Sequence, residues 1–421
     1  MKLTFKTKQR TAFVALLFTV LLEGCKDNKK EPSQADQKEV ITGPFKEDVD
    51  FMKQYEKDLI VLQSGKSMIA VAPRLQGRVM TSSSDGMAGA SYGWINKVHY
   101  KSGEINPQIN VYGGEERFWL GPEGGQYSIY FKKGKDFTFE NWATPKLIDL
   151  EPFDVLEQTT DKVSFTKSAA LTNYAGFTFN FQINRDVTII SNNTIVSQLG
   201  VASIGDVKAV GYKTENTLKN IDDKAWTKDN GLLSIWMLGM YKHSETTTVV
   251  MPYKTGNDND LGKPVNIYES FGALDEERLI AKEGVIYFKG DGKHRSKIGL
   301  SPERAKDIAG SYDAQNGVLT IVKYNKPDGV SDYVNSKWEL QEFPYGGDAV
   351  NSYNDGPTPS GEPLGPFYEL ETSSPAAALQ PDEAITHTQY TFHFEGNETA
   401  LNQISEATLG VSLEEIKNVF K

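Results

Sequence analysis

A single cysteine among 421 residues rules out a disulfide within the chain, so a stable domain must rest on packing. Histidine is nearly as scarce. His99, His243, His294, His387 and His393 stand singly, and with no His/Cys cluster at zinc spacing a structural zinc site is not expected. No run of Lys or Arg follows residue 30, and the formal net charge is −11; that balance disfavours phosphate backbones and sets nucleic acid aside as a partner. The apolar stretch Thr11–Leu22 has 12 residues, too few for the roughly 20 that carry a helix across a hydrocarbon core of about 30 Å. Periodic repeats and long helical patterns are also missing.

What is there begins with a leader. Lys2, Lys6, Lys8 and Arg10 form a basic region ahead of the Thr11–Leu22 stretch, as in a removable secretory signal. The lone cysteine, Cys25, ends Leu22-Glu23-Gly24-Cys25, which resembles a bacterial lipobox and marks Cys25 as the lipid attachment point. The expectation is a signal peptide over 1–24, a polar tether over 25–43 and one domain over 44–421. Such a chain is lipid-anchored in the cell envelope, at the outer membrane of a Gram-negative bacterium. Removing the leader takes the formal charge from −11 to −14, because four of its side chains are basic and one is acidic.

Past the tether, Phe45, Val49, Phe51, Met52 and Tyr55 recur at helical spacing and predict one short amphipathic helix. Strand patterns then dominate. A hairpin over Ile60–Ala72 turns at Ser64-Gly65-Lys66, and β-type runs follow at 163–171, 178–183, 187–198, 246–252, 284–289, 317–324 and 389–395. Phe177, Phe179 and Phe181 alternate with small or polar residues, as on a half-buried strand. Short helices are expected near Leu274–Ala281 and over Ser412–Phe420, the latter with Ser412 as N-cap and Glu415 three residues on. The fold class is therefore all-β: a large antiparallel sandwich with few helices, less than about 20% of the chain against the usual third.

Three segments carry chemistry. Tyr112–Gln126 holds five glycines around Glu115, Glu116, Glu123, Arg117 and Trp119. Glycine permits close approach of a ligand to the backbone, an indole face suits the C–H side of a sugar ring, and Arg and Glu fix hydroxyl groups. The same composition equally describes tight turns around a buried Arg–Glu pair. Trp338–Gly356 alternates aromatics with amides and acids, among them Asp348 and Asn354, although Asn-Asp-Gly is also a plain turn signal. In Phe367–Pro375 the strand period places Glu369 and Glu371 on one face with Tyr368 and Leu370 opposite. Like charges so close raise a carboxylate pKa toward the range useful for proton transfer.

These residues bring a resemblance into view. Gln76–Ser82, after the first hairpin, resembles the early strand of the galactose mutarotase-like supersandwich, and Gly113–Gly125 resembles the glycine and glutamate block of an uncharacterised family of bacterial lipoproteins assigned to that scaffold. Glu369–Glu371 followed by Leu379-Gln380-Pro381-Asp382-Glu383 resembles the late strand and loop where mutarotases carry their catalytic glutamate, with Asp382 in place of a glycine. The resemblance implies a sugar cleft on one sheet. It departs from mutarotases in the histidines, because the early His-Gly and Asn-His-Leu-His patterns are missing and His243 alone sits where a catalytic histidine would be.

Two functions follow as expectations. In a carbohydrate-active enzyme, whether epimerase-like, hydrolase or lyase, Glu371 or Glu369 would be the base and His243, Glu123 or a tyrosine the acid. Arg78 and Arg117 would orient the sugar, with Trp94, Trp119, Glu115, Asp348 and Asn354 as further contacts. In a non-catalytic glycan-binding lipoprotein, aromatics, amides and backbone would suffice. No cofactor is expected; the acidic run Asp258-Asn259-Asp260 is of the kind that can hold calcium but reads as a solvated turn. The chain is expected to be monomeric.

Overall fold

The computed structural model describes residues 44–357 and 363–421; the leader, the tether and Cys25 lie outside them. A three-stranded antiparallel meander comes first, built from Ile60–Ser64, Ser67–Ala72 and Arg78–Ser83. A ten-stranded sheet runs in space from Leu279–Lys282 at one edge to Asp154–Gln158 at the other. A six-stranded sheet follows the spatial order Asn266–Ile267, Ser296–Leu300, Val350–Asn354, Tyr368–Ser373, Ser234–Tyr241, Arg117–Gly121. All the strand pairs within these sheets are antiparallel.

The alternation of side chains explains the layers. One face of the six-stranded sheet supplies Phe118, Leu120, Ile235, Met237, Ile298 and Leu370, and these pack on Phe165, Phe181, Val249 and Phe288 of the ten-stranded sheet. On the far face of the ten-stranded sheet, Leu319, Ile321, Phe392 and Phe394 are covered by Ile195, Leu401, Ile404 and Ile416 from three short helices. The opposite face of the six-stranded sheet is left for the site. Among the described residues helix makes up 15% and strand 38%, so the architecture is the all-β sandwich that the alternating pattern predicts.

Several local expectations need correction. The run 187–198 is not one strand: it ends at Ile190, where the Ser191 side chain accepts from the Thr194 N–H and caps a helix over Asn192–Leu199 that Gly200 closes at φ +66°. Conversely, the runs 178–183 and 187–198 share a single strand, Thr178–Ile190. The polar break between them holds Arg185, which is fully buried and donates to Glu116 Oε1 (2.9 Å), Gly77 O (3.1 Å) and Asn216. Leu274–Ala281 forms no helix, because Leu279–Lys282 pairs with Val285–Lys289 through a turn at Glu283 and Gly284, both at positive φ. The helix Glu398–Thr408 was not legible as one; it buries only Leu401, Ile404 and Ser405. The N-terminal helix spans Phe45–Met52, and Ser412 caps Leu413–Asn418 as its sequence indicates.

Candidate functional site

A cleft of about 670 Å³ opens on the free face of the six-stranded sheet. Strand register builds its floor. Arg117, Leu238, Glu371 and Asn351 are paired across four adjacent strands, and one pleat further along Met240, Glu369, Tyr353 and Lys297 form a second row. Residues two apart on a strand share a face, so Glu369 and Glu371 both enter the cleft while Tyr368 and Leu370 point into the core. Both glutamates are buried.

Their partners differ. Arg117 reaches across the intervening strand to an ion pair with Glu369. Glu371 Oε2 accepts from Lys297 Nζ (2.8 Å) and from Trp236 Nε1 (3.0 Å), while Glu371 Oε1, also buried, has no hydrogen-bond partner. The third carboxylate, Glu123, comes from the loop after Arg117–Gly121. That loop is held by the 336–341 segment: Glu123 N donates to Ser336 Oγ (3.2 Å), Gln126 Nε2 to Gln341 O (2.8 Å) and Gln341 N to Gln126 Oε1 (3.0 Å). Four of the six tryptophans line the cleft, namely Trp119, Trp142, Trp236 and Trp338. Trp142 and Trp338 lie near-parallel at 5.9 Å with their indole N–H groups turned to the Glu123 carboxyl, whose charged form they favour, while the buried Trp119 N–H has no partner among the described residues.

Burial raises two of the acids. Burial pushes the Glu123 carboxyl up to about 7; Lys297 pulls it down and Glu371 pushes it further up. Burial likewise raises Glu369, with Arg117 opposing and Glu371 adding to the rise. Burial would lower the Lys297 ammonium, yet Glu371 and Glu123 outweigh it and hold the group above an ordinary lysine. A carboxyl raised toward neutrality therefore shares an aromatic-walled cleft with a Glu371 oxygen that has no partner among the described residues. Among the described residues no cluster of three or more His, Cys, Asp or Glu side chains is placed to hold a metal.

A model of a family of unknown function, DUF6786, matches residues 43–420. The chain belongs to this family. No curated protein matches it in sequence. Solved structures similar to the DUF6786 chain include a putative aldose 1-epimerase from Escherichia coli K12, 10% identical with a TM-score of 0.46, the alignment covering 80% of this chain and 98% of that one. A galactose mutarotase-like protein from Lactobacillus casei is 12% identical with a TM-score of 0.47, covering 80% and 99%. The Slr1438 protein from Synechocystis is 11% identical with a TM-score of 0.46, covering 80% and 96%.

Of the residues singled out from sequence, Glu123, Glu369, Glu371, Arg117 and Trp119 converge on the cleft of this DUF6786 member. Arg78 does not. Its guanidinium is buried and donates to Gly113 O (2.8 Å) and Gln76 Oε1 (3.2 Å). Glu115 is an interior residue that accepts from Ser82 Oγ and hydrogen-bonds His393 Nε2, at 2.7 and 2.8 Å. Trp94 stacks beneath the cleft on Phe367, 4.7 Å between centroids, and so supports a wall it does not form. Asp348 accepts from Asn266 and Tyr268, each at 2.7 Å, and lines only a small side cavity next to Lys297. Asn354 holds the 291–295 loop through Gly292 N and His294 O.

His243 lies beyond the strand Ser234–Tyr241 with its ring against Gly292, where a Cβ would come within 2.4 Å of Nε2. It does not line the cleft, and burial lowers its pKa. The glycines of the 113–125 block serve chain packing rather than a ligand: a Cβ on Gly113 would stand 2.2 Å from Trp94 O, and one on Gly124 2.2 Å from Lys337 O. Asp258, from the acidic run considered for calcium, pairs with Arg304. Sequence reasoning missed Lys297, Arg295 and Trp142. Their signal was weak: Lys297 between Ser296 and Ile298 on a short strand reads as an ordinary solvated face, and Arg295 lies in the loop before that strand.

Proposed function

We propose that this chain binds a carbohydrate in the cleft and acts on it by proton transfer at a sugar C–O bond, with Glu371 as base and Glu123 as acid. The observation that carries the reading is the pairing, in one tryptophan-walled cleft, of an unpartnered Glu371 oxygen with a Glu123 carboxyl pushed up to about 7. Indole faces supply the apolar half of sugar recognition, and the unpartnered Trp119 N–H with the cleft carboxylates the polar half. Burial raises the Glu123 carboxyl into the range in which it can donate a proton, and the Glu371 oxygen without a partner is placed to accept one. Glu123 would give its proton to the departing oxygen and Glu371 would take one from the attacking or ring hydroxyl, while Lys297 and Arg117 hold the floor charges in place.

An acid acts only when protonated, so the rate is expected to fall as pH rises through about 7, the value to which burial pushes Glu123. Measuring kcat/KM against pH for the parent and for Glu123→Gln checks this. The parent should lose activity across neutrality and the variant should lack that limb. A parent rate that climbs through pH 7 removes Glu123 from the acid role.

A second reading, a non-catalytic glycan-binding protein, draws on the commitment of Glu369 to Arg117 and of Glu371 Oε2 to Lys297. Incubating the purified protein with each glycan it binds on an array, and weighing the products, separates the two readings. Chain shortening, elimination or anomeric exchange supports the enzyme, and unchanged glycans support the binder.

We further propose that Cys25 anchors the chain by lipid to the outer membrane of the envelope. Cys25→Ser should then leave the protein in the soluble envelope fraction. Continued partition into detergent with uptake of labelled fatty acid would rule the anchor out.

A further inference from the structure

We propose that Arg295 receives an anionic group of the glycan, so that the preferred ligand is an acidic sugar, carboxylated or sulfated, rather than a neutral one. This deepens the carbohydrate reading above and rests on it.

Three cationic side chains line the cleft: Arg117, Lys297 and Arg295. Two are already used, Arg117 by Glu369 and Lys297 by Glu371. Arg295 forms no ion pair or side-chain hydrogen bond among the described residues, and its Nε is buried without a partner. The carboxylate whose field it shares, Asp355, is occupied otherwise: the Tyr353 hydroxyl donates to Oδ1 and the Gly365 N–H to Oδ2 at 2.8 Å.

The guanidinium is also held in place. It lies 5.0 Å over the Phe271 ring, and Phe271 in turn meets Tyr353 edge-on at 5.8 Å. Behind it, the loop that carries Arg295 is fixed from three sides. Asn354 Oδ1 accepts from Gly292 N (2.8 Å), Asn354 Nδ2 donates to His294 O (3.0 Å), and Asp291 pairs with Arg278 (2.6 Å). A planar, permanently charged fork, oriented by an aromatic ring and lacking a counter-ion among the described residues, is matched to a flat oxyanion that arrives with the ligand. A neutral sugar would leave this cation partly desolvated with no partner, which costs binding energy.

The test is an array of neutral, uronate-containing and sulfated glycans in matched pairs, probed with the purified protein and followed by calorimetry on the hits. Acidic members should bind in preference to their neutral partners, and the uronate and sulfate arms say which oxyanion is taken. Arg295→Gln should weaken the acidic hits about ten- to a hundredfold, the range of a hydrogen bond to a charged group. The neutral partners should bind as well as before or better, because the unpaired cation is gone, and Arg295→Lys should restore part of the selectivity. Unchanged melting of both variants shows that folding is not what is being measured. Equal or better binding of neutral glycans, or acidic hits indifferent to Arg295→Gln, overturns the assignment. Failure of every glycan to bind removes the carbohydrate reading itself, and this inference with it.

Discussion

Glu371→Gln is expected to lower turnover about 10²- to 10⁴-fold, the usual contribution of a positioned acid or base, while glycan affinity stays within about tenfold, or 1.4 kcal/mol. The substitution keeps the shape of the side chain and an oxygen to accept from Lys297 and Trp236, as Oε2 does now. The amide nitrogen would take the place of Oε1, which has no partner to lose. What disappears is the basic lone pair. Kinetics on the glycan identified by array and mass, alongside calorimetric binding, reads both quantities. A variant that turns over at the parent rate removes Glu371 from the chemistry, and one that no longer binds makes it a binding residue instead.

The second large effect is on stability. Glu116 and Arg185 are both fully buried, and their pair ties the strand Thr178–Ile190 to the segment leading into Arg117–Gly121. Glu116 also accepts from Gln389 Nε2 at 2.8 Å. Burial raises the Glu116 carboxyl and Arg185 opposes that rise. Glu116→Ala would strand the Arg185 cation in the interior and is expected to cost about 3–5 kcal/mol. The double change Glu116→Leu with Arg185→Leu should recover much of the loss, because the stranded charge is gone. Equilibrium denaturation of the three proteins measures this. A single variant as stable as the parent would mean that the pair contributes little.

Where the backbone period alone decides which way a side chain points, the site was legible from sequence. Glu369 and Glu371 share a face because residues two apart on a strand must, and Arg117 and Trp119 follow the same rule. What could not be read is which face of which strand looks into the cleft, since that depends on register between strands far apart in the chain. Lys297 reaches Glu371 only because Ser296–Leu300 pairs with Val350–Asn354, which pairs with Tyr368–Ser373. Glycine misled for a related reason. Gly113 and Gly124 allow one backbone to touch another, a use that leaves the same mark in a sequence as approach to a ligand. Arg78 misled because a buried arginine that donates to a carbonyl is indistinguishable in sequence from one that meets a substrate. In the fold, part of the strands were legible from alternation, whereas Lys208–Asn220, Ser296–Leu300 and Ile308–Asp313 were not. The merger of two runs into Thr178–Ile190 was hidden by Arg185, whose charge looks like a loop residue until its partner Glu116 is known.

The central claim is that a carbohydrate occupies the tryptophan-walled cleft. Titrating the purified protein with its strongest array ligand while recording tryptophan emission tests it most directly, because Trp119, Trp142, Trp236 and Trp338 line that cleft. A saturable change in emission with the same midpoint as the calorimetric isotherm is expected. A glycan that binds by calorimetry yet leaves the indole emission untouched would contradict it.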